Sequence, residues 1–228
     1  MVSFTQWFAQ LQWGKLLEIV ISAASCILCI VLHELCHGLT ALWIGDDTAR
    51  RSGRLSLNPL KHIDLVGLVL LFTVRFGWAK PVPVDMRRFK KPKLGMALTA
   101  FAGPVGNLLL AAALTPVYAA VIVWYQSAAS AAVYYWAVFL LMTITLSIGL
   151  AVFNLFPVPP LDGSKVLFAF LPPQWYLNLM RYERYGMILL AALLYLGVLD
   201  TPLMFLRDGV LNFMFTVFGD PVVRLLIG

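Results

Sequence analysis

Two histidines flank a glutamate near residue 35, and their spacing suits metal chemistry. His33 and His37 are four positions apart, so on a helix they project from one face, about 6 Å apart along the axis. Two imidazoles at this spacing can bind one metal ion such as zinc. Glu34 lies between them and can take a proton from an attacking water. The motif predicts metal-dependent hydrolysis, with His33 and His37 as metal ligands and Glu34 as the catalytic residue.

The sequence on both sides of this motif is apolar enough for a membrane. Residues 16–32 contain a single charged residue, Glu18, and residues 39–44 contain none. Ionisable side chains inside a bilayer are costly, and where they occur they usually serve a function. The motif is therefore predicted to lie on a membrane-embedded helix.

The composition of the whole chain supports a membrane protein. Of its 228 residues, 61% are hydrophobic and only 12% are charged, and the mean hydropathy is +0.85. Soluble domains contain about 25% charged residues, so a soluble enzyme is excluded. We attribute the net charge of +6 to membrane topology and expect no nucleic-acid partner.

The apolar runs predict the number and order of the membrane helices. Three runs are long enough to cross about 30 Å of hydrocarbon: 16–44, 94–125 and 132–156. Residues 185–199 are expected to cross again, and 202–218 either cross or lie at the interface, because Arg207 and Asp208 interrupt that run. We expect a single membrane domain over residues 1–228.

A shorter apolar run between the first two long ones predicts a different element. Residues 63–76 are too few for a crossing and are typical of a re-entrant segment. Residues 77–84 contain Pro81 and Pro83, which favours an extended edge segment because proline cannot donate to a central ladder. The predicted fold is all-α, with three long transmembrane helices, a short re-entrant or β-hairpin element, and further carboxy-terminal helices.

The distribution of lysine and arginine predicts the orientation. Both flanks of 63–76 are strongly basic, so both are expected on the cytoplasmic side, whereas the connector 126–131 has no basic residue and is expected outside. This orientation places the histidine pair toward the cytoplasmic side.

A catalytic zinc usually has three protein ligands and one open position, so a third ligand is required. Trp43 occupies the position where a metzincin would have its third histidine, which excludes that class. Glu18 lies too far along the same helix. Glu183 is a possible distant ligand, but its neighbours are typical of a solvated helix boundary.

Asp162 is the better candidate for the third ligand. It follows three prolines, at 157, 159 and 160, directly after an apolar run. Prolines stop a helix, and irregular backbone at membrane depth is tolerated only where it is buried in protein or lines a wet cavity. Capping the next helix is the alternative role for Asp162; the histidine pair favours metal ligation.

These motifs, taken in order, resemble those of the site-2 protease family, peptidase family M50. The resemblance joins His33-Glu34-x-x-His37 to Asp162, about 125 residues later, and to Asn154 before it. The chain resembles the small bacterial members of this family, which have no PDZ or CBS domain, although Cys36 stands where glycine is common in the family. The intervening matches are Asn58 to Asp64, Gly77 to Val84, and Ala102-Gly103-Pro104 with Asn107.

The resemblance implies an intramembrane zinc metalloprotease in a bacterial plasma membrane, with a catalytic core over about 16–166. One Zn²⁺ would be held by His33, His37 and Asp162, with Glu34 as general acid and base. Asn154 would lie near the substrate carbonyl, where the alternative is a polar contact between helices. Asn107 is a possible accessory residue, and helix packing is an equal interpretation. The implied partners are a single-span membrane protein as substrate and the lipid bilayer; the oligomeric state is open.

The sequence leaves two other functions open. One is a non-proteolytic zinc-binding scaffold or transporter-like protein, which Glu34 argues against because a structural metal site has no use for that carboxylate. The other is a membrane-bound protease that cuts soluble substrates.

In an intramembrane protease the substrate helix must first be opened, and 63–76 and 80–84 are predicted to receive it as an added strand.

Overall fold

The computed structural model describes residues 13–64, 67 and 80–227, and most of these residues are helical. Short 3₁₀ turns lie at Pro59–Lys61 and Met86–Arg88. A π-helical turn, Phe215–Gly219, joins the last two helices. In chain order the α-helices are α1 (Trp13–Trp43), α2 (Thr48–Arg51), α3 (Pro92–Ala128), α4 (Ala131–Asn154), α5 (Asp162–Phe168), α6 (Pro173–Tyr195), α7 (Asp200–Met214) and α8 (Asp220–Ile227).

Four helical stretches in the described part of the chain are long and apolar enough to cross a membrane. The first three, Gly14–Trp43, Pro92–Ala128 and Ala131–Asn154, confirm the three predicted long spans. Large hydrophobic side chains cover their outer surfaces, including Ile19 and Leu109. Exposure of such apolar surfaces to water is unfavourable, whereas contact with lipid is favourable. The chain is a multi-pass, all-α membrane protein.

The carboxy-terminal part differs from the prediction. Residues 202–218 belong to a longer continuous helical stretch, Asp200–Ile227, which is the fourth possible span. Arg207 and Asp208 lie within this helix, where the Arg207 guanidinium donates to the Asp208 carboxylate at 2.8 and 2.9 Å, so the two opposite charges are paired.

The crossing predicted at 185–199 stays a prediction. Tyr185–Tyr195 is an apolar stretch at the end of α6 (Pro173–Tyr195), and residues 196–199 form turns after the helix.

The predicted re-entrant or β-hairpin element at 63–76 falls mostly outside the described residues and stays a prediction. Within the described residues, no ladder strand is formed, and Ile63 makes an isolated bridge. Residues 53–57 alternate between polar and apolar side chains, a pattern typical of a short strand, but they form a turn and irregular backbone.

The core forms where α1, α3 and α4 pack against one another. Ala111, Ile144 and Ile148 are fully buried between α3 and α4, and Met214 of α7 packs on the same cluster. A polar contact joins α1 to α4, where the Thr143 hydroxyl donates to the Ser25 hydroxyl at 3.0 Å. Small and hydroxyl-bearing residues allow membrane helices to approach closely and to hydrogen-bond across the interface. This bundle gives α1 a fixed position relative to α3.

The topology can be tested by labelling single introduced cysteines. Ser127, exposed at the end of α3, lies in the uncharged connector, so Ser127→Cys should react with a membrane-impermeant maleimide in intact cells. Ser52→Cys, in the basic exposed turn after α2, is the matched control and should react only after permeabilisation. The reverse pattern of labelling would overturn the predicted orientation.

Candidate metal centre

Three predicted ligands from distant parts of the chain meet at one point. Nε2 of His33 lies 3.2 Å from Oδ2 of Asp162, and Nε2 of His37 lies 3.1 Å from the same oxygen. All three ligand atoms lie within 4.8 Å of one another, and within the described residues this is the one group of histidine, cysteine or acidic residues that is clustered in this way. The geometry brings together the residues that the sequence predicted as metal ligands.

The histidine pair is positioned by helix α1. His33 and His37 are one turn apart, and their rings meet edge to face with centroids 4.5 Å apart. Both side chains are buried, at 5% and 9% exposure. Two buried imidazoles on one helix face can present two nitrogens to a common point with little freedom to diverge.

Asp162 reaches the pair because the chain breaks after α4. This helix ends at Asn154, and the proline-rich turn that follows leads directly into α5, where Asp162 is the first residue. Gly163 makes the close turn possible, since a Cβ there would lie 2.7 Å from the carbonyl oxygen of Phe156. Helix α5 packs against α3, so the carboxylate is held against the bundle.

A backbone carbonyl fixes the orientation and tautomer of His37. Its Nδ1–H donates to the carbonyl oxygen of Thr99 at 2.6 Å, which leaves the lone pair of Nε2 facing Asp162. Metal-ligating histidines usually have such a partner on the second ring nitrogen. Nδ1 of His33 is buried without a hydrogen-bond partner among the described residues. The Thr99 contact was not predictable from the sequence, because every residue has a carbonyl group.

Gly103 of α3 allows the bundle to close over the imidazoles. A Cβ at this position would lie 2.5 Å from Nε2 of His37 and 2.7 Å from Cε1 of His33. Pro104 follows and cannot donate to the carbonyl one turn earlier, so the helix ladder is interrupted beside the site. The Gly-Pro pair is evident in the sequence, but its contact with the histidines is not.

Glu34 lies in a cavity of about 590 Å³ together with His33, His37 and Asp162. Its carboxylate accepts a hydrogen bond from the backbone N–H of Val82 at 2.8 Å. The rest of the lining is mainly apolar. It is contributed by Ile30, Met96, Leu150, Phe153, Leu161 and Met187, among others.

The two predicted asparagines have different surroundings. Asn154 lines the cavity, and its amide donates to the carbonyl of Leu150, one turn earlier on its own helix, at 2.9 Å. Asn107 is fully buried and is not among the cavity-lining residues, and its amide atoms have no hydrogen-bond partner in the described part of the chain. The roles predicted for both residues stay predictions.

Residues 80–84, the described part of the predicted edge segment, run past the cavity without forming a ladder strand, and they have few free backbone donors. Pro81 and Pro83 have no N–H, the N–H of Lys80 donates to His62 at 2.9 Å, and that of Val82 donates to Glu34. An added strand would therefore have to pair mainly with carbonyl groups here. Just beyond, the side chain of Arg87 hydrogen-bonds to Asp85 and lowers the pKa of that carboxyl.

The residues at this point fit a zinc ion. Two imidazole nitrogens and one carboxylate oxygen form a donor set typical of catalytic zinc. In addition, Nε2 of His37 and Oδ2 of Asp162 are both acceptors 3.1 Å apart, because the proton of His37 is directed to Thr99. Such a contact is stable only with a cation or a proton between the two atoms. The geometry therefore favours a bound metal ion.

The close approach of Gly103 gives a test of the centre that replaces none of the ligand residues. Gly103→Ala should lower zinc affinity by about tenfold or more, because the methyl group displaces both imidazoles. Gly149→Ala on α4 is the matched control, since a Cβ there has no neighbour within 4 Å. Zinc retained per chain is measured by mass spectrometry of the metal during chelator titration; equal retention by the two variants would refute the contact.

Comparison with known proteins agrees with the site geometry. The sequence profile of peptidase family M50 matches residues 117–196. A Bacillus subtilis protein named as a candidate zinc metalloprotease, YwhC, is 39% identical over 169 residues, which cover 73% of this chain and 76% of that protein. The Mycolicibacterium smegmatis protein Rip2, named in the same way, is 28% identical over 179 residues, which cover 77% of this chain and 66% of that protein.

No solved structure matches the chain. The extent of the similarity to YwhC, together with the family profile, is sufficient to assign the family, and the names of the relatives imply zinc as the metal. The chain belongs to the site-2 protease family of metalloproteases, peptidase family M50.

Proposed function

We propose that this protein is an intramembrane zinc metalloprotease that hydrolyses peptide bonds in the transmembrane segments of substrate proteins. One observation carries the proposal. His33 and His37 lie beside Glu34 on a helix that is long and apolar enough to cross a membrane, and Asp162 of α5 converges with both histidines. An ionisable cluster of this kind has no structural necessity inside a bilayer.

The residues of the chain divide the chemistry among themselves. His33, His37 and Asp162 would hold the zinc, which when bound supplies a Lewis acid that polarises a carbonyl and promotes ionisation of water near neutral pH. Glu34 takes the proton of the attacking water and later gives it to the leaving nitrogen. Asn154, on the cavity wall, has an amide that can donate to the oxyanion.

The depth of the site supports cleavage within the membrane. His37 lies six residues before Trp43, the end of α1, which is about 9 Å of helix. The basic residues after α1 favour the cytoplasmic side for that end. The active centre would then lie in the cytoplasmic leaflet of a bacterial plasma membrane, and water would reach it from the cytoplasm.

The cavity also supports a membrane-spanning substrate. Most of its lining side chains are apolar, and the polar ones besides the histidine pair and Asp162 are Glu34, Thr99, Asn154 and Lys165. An apolar peptide segment would lose little solvation free energy on entering such a cavity, whereas a charged one would lose much more. The proposed partners are a single-span membrane protein and the surrounding lipid.

The proposal can be tested with purified protein in liposomes. A panel of labelled single-span peptides and, separately, unfolded casein is incubated with and without a zinc chelator, and cut sites are read by mass spectrometry. We expect chelator-sensitive cuts inside the apolar segment of at least one peptide. Cleavage of casein alone would contradict the intramembrane part of the proposal, and no cleavage in either set would contradict proteolysis itself.

Replacing the general base should separate catalysis from metal binding. Glu34→Gln should lower cleavage by a factor of about 10² to 10⁴ because the amide cannot accept the proton. Zinc per chain should equal that of the wild type, since all three ligands remain. Asp162→Ala serves as the contrasting variant and should lose both zinc and activity. Wild-type activity in Glu34→Gln would remove Glu34 from the mechanism.

A further inference from the structure

The contact between Val82 and Glu34 comes from an unusual local sequence. Val82 lies between Pro81 and Pro83, so its N–H is the only backbone donor in that triplet. This single donor is directed at Oε2 of Glu34, 2.8 Å away. Hydrogen bonds from an N–H to a carboxylate are stronger than those between neutral groups. The segment therefore holds one oxygen of the proposed general base in a defined place.

Arg54 in turn holds this segment. Its guanidinium donates to the carbonyl oxygens of Lys80 at 2.5 Å and Pro81 at 3.1 Å, and also to the carbonyl of Lys61. The Arg54 side chain is buried, at 8% exposure. Two of the three carbonyls directly precede Val82 in the chain, so the guanidinium fixes the backbone on which the donor sits.

A guanidinium that is buried without a carboxylate partner loses its hydration, and this desolvation is unfavourable. Among the described residues no acidic side chain pairs with Arg54; its acceptors are the three backbone carbonyls. A carboxylate partner would have neutralised the charge but could not have bridged three carbonyl groups. The arrangement uses the planar, multi-donor geometry that distinguishes arginine from lysine.

Two further contacts seat the segment on the end of α1. The buried carboxylate of Asp46 accepts from the N–H of Asp85 at 2.7 Å, which fixes the far end of the segment. Gly38, one turn after Glu34, leaves room for the Val82 side chain, because a Cβ there would lie 3.2 Å from Cγ1 of Val82. The segment therefore has little freedom to move away from Glu34.

We infer that Arg54 is a positioning residue for catalysis, which acts by holding residues 80–82 so that the Val82 N–H fixes the Glu34 carboxylate. This inference rests on the role of Glu34 in the proposed function. The inference also excludes one form of substrate binding by residues 80–82. While the Val82 N–H donates to Glu34, it cannot donate to a substrate strand.

The decisive comparison is between two changes at Val82. Val82→Pro removes the N–H, whereas Val82→Ala trims the side chain but keeps the donor. With a peptide that the wild type cleaves in the liposome assay, kcat of Val82→Pro should be at least about tenfold below that of Val82→Ala. KM should be similar in the two variants, because the change acts on the chemical step and not on substrate binding, and zinc per chain should be equal. Equal kcat values, or a change confined to KM, would overturn the inference.

Arg54 is tested by graded replacement. Arg54→Met should lower kcat by about tenfold with zinc retained, and Arg54→Lys, which keeps the charge and part of the donor set, should recover part of the loss. The double variant of Arg54→Met with Val82→Pro should be no slower than Val82→Pro alone, because both changes act through one contact. Additive losses, wild-type kcat in Arg54→Met, or loss of zinc in that variant would each contradict the inference.

Two further comparisons apply if Val82→Pro fails to fold or if Glu34 is not the general base. If Val82→Pro does not fold, the comparison of Arg54→Met with Arg54→Lys decides, and equal kcat in these two variants counts against the inference. Glu34→Gln separates this inference from the function beneath it. If Glu34→Gln is inactive while Val82→Pro matches Val82→Ala, only the positioning role fails; if Glu34→Gln is active, the proposed function fails as well.

Discussion

The structure depends on bringing one carboxylate to two imidazoles inside an apolar bundle. Asp162 and the histidines of α1 are remote in sequence, and each would be unfavourable to bury alone, at a cost of several kcal/mol for an unpaired ion. Together they create a point where a divalent cation is favoured. The broken helix after Asn154, the tight turn at Gly163 and the packing of α5 on α3 all serve this convergence.

Around that point, backbone groups and the absence of a side chain at Gly103 position several residues of the site. The Thr99 carbonyl orients His37, and the Val82 N–H holds Glu34. Gly103 lets α3 approach the rings. Backbone donors and acceptors are fixed by the fold and lose little entropy when they act, so they suit a site that must keep its geometry while a substrate enters.

This use of backbone groups explains what could be predicted from the sequence and what could not. The three long spans, the histidine pair and the choice of Asp162 were predictable because apolar runs, metal-ligand spacing and proline breaks depend on residue type. The Thr99 and Val82 contacts were not, because main-chain groups carry no residue-specific signal. The fourth long helix was underestimated because Arg207 and Asp208 interrupt its apolar run in the sequence but pair with each other in the fold.

The central claim is that His33, His37 and Asp162 together hold one zinc ion. X-ray absorption spectroscopy of the purified zinc-loaded protein tests it most directly, because it distinguishes nitrogen and oxygen from sulfur in the coordination shell. We predict one zinc per chain with only nitrogen and oxygen ligands near 2.0–2.2 Å, including the signature of two imidazoles. A sulfur ligand near 2.3 Å, which would point to Cys36 beside the pair, or a shell with fewer than two imidazoles would contradict the account.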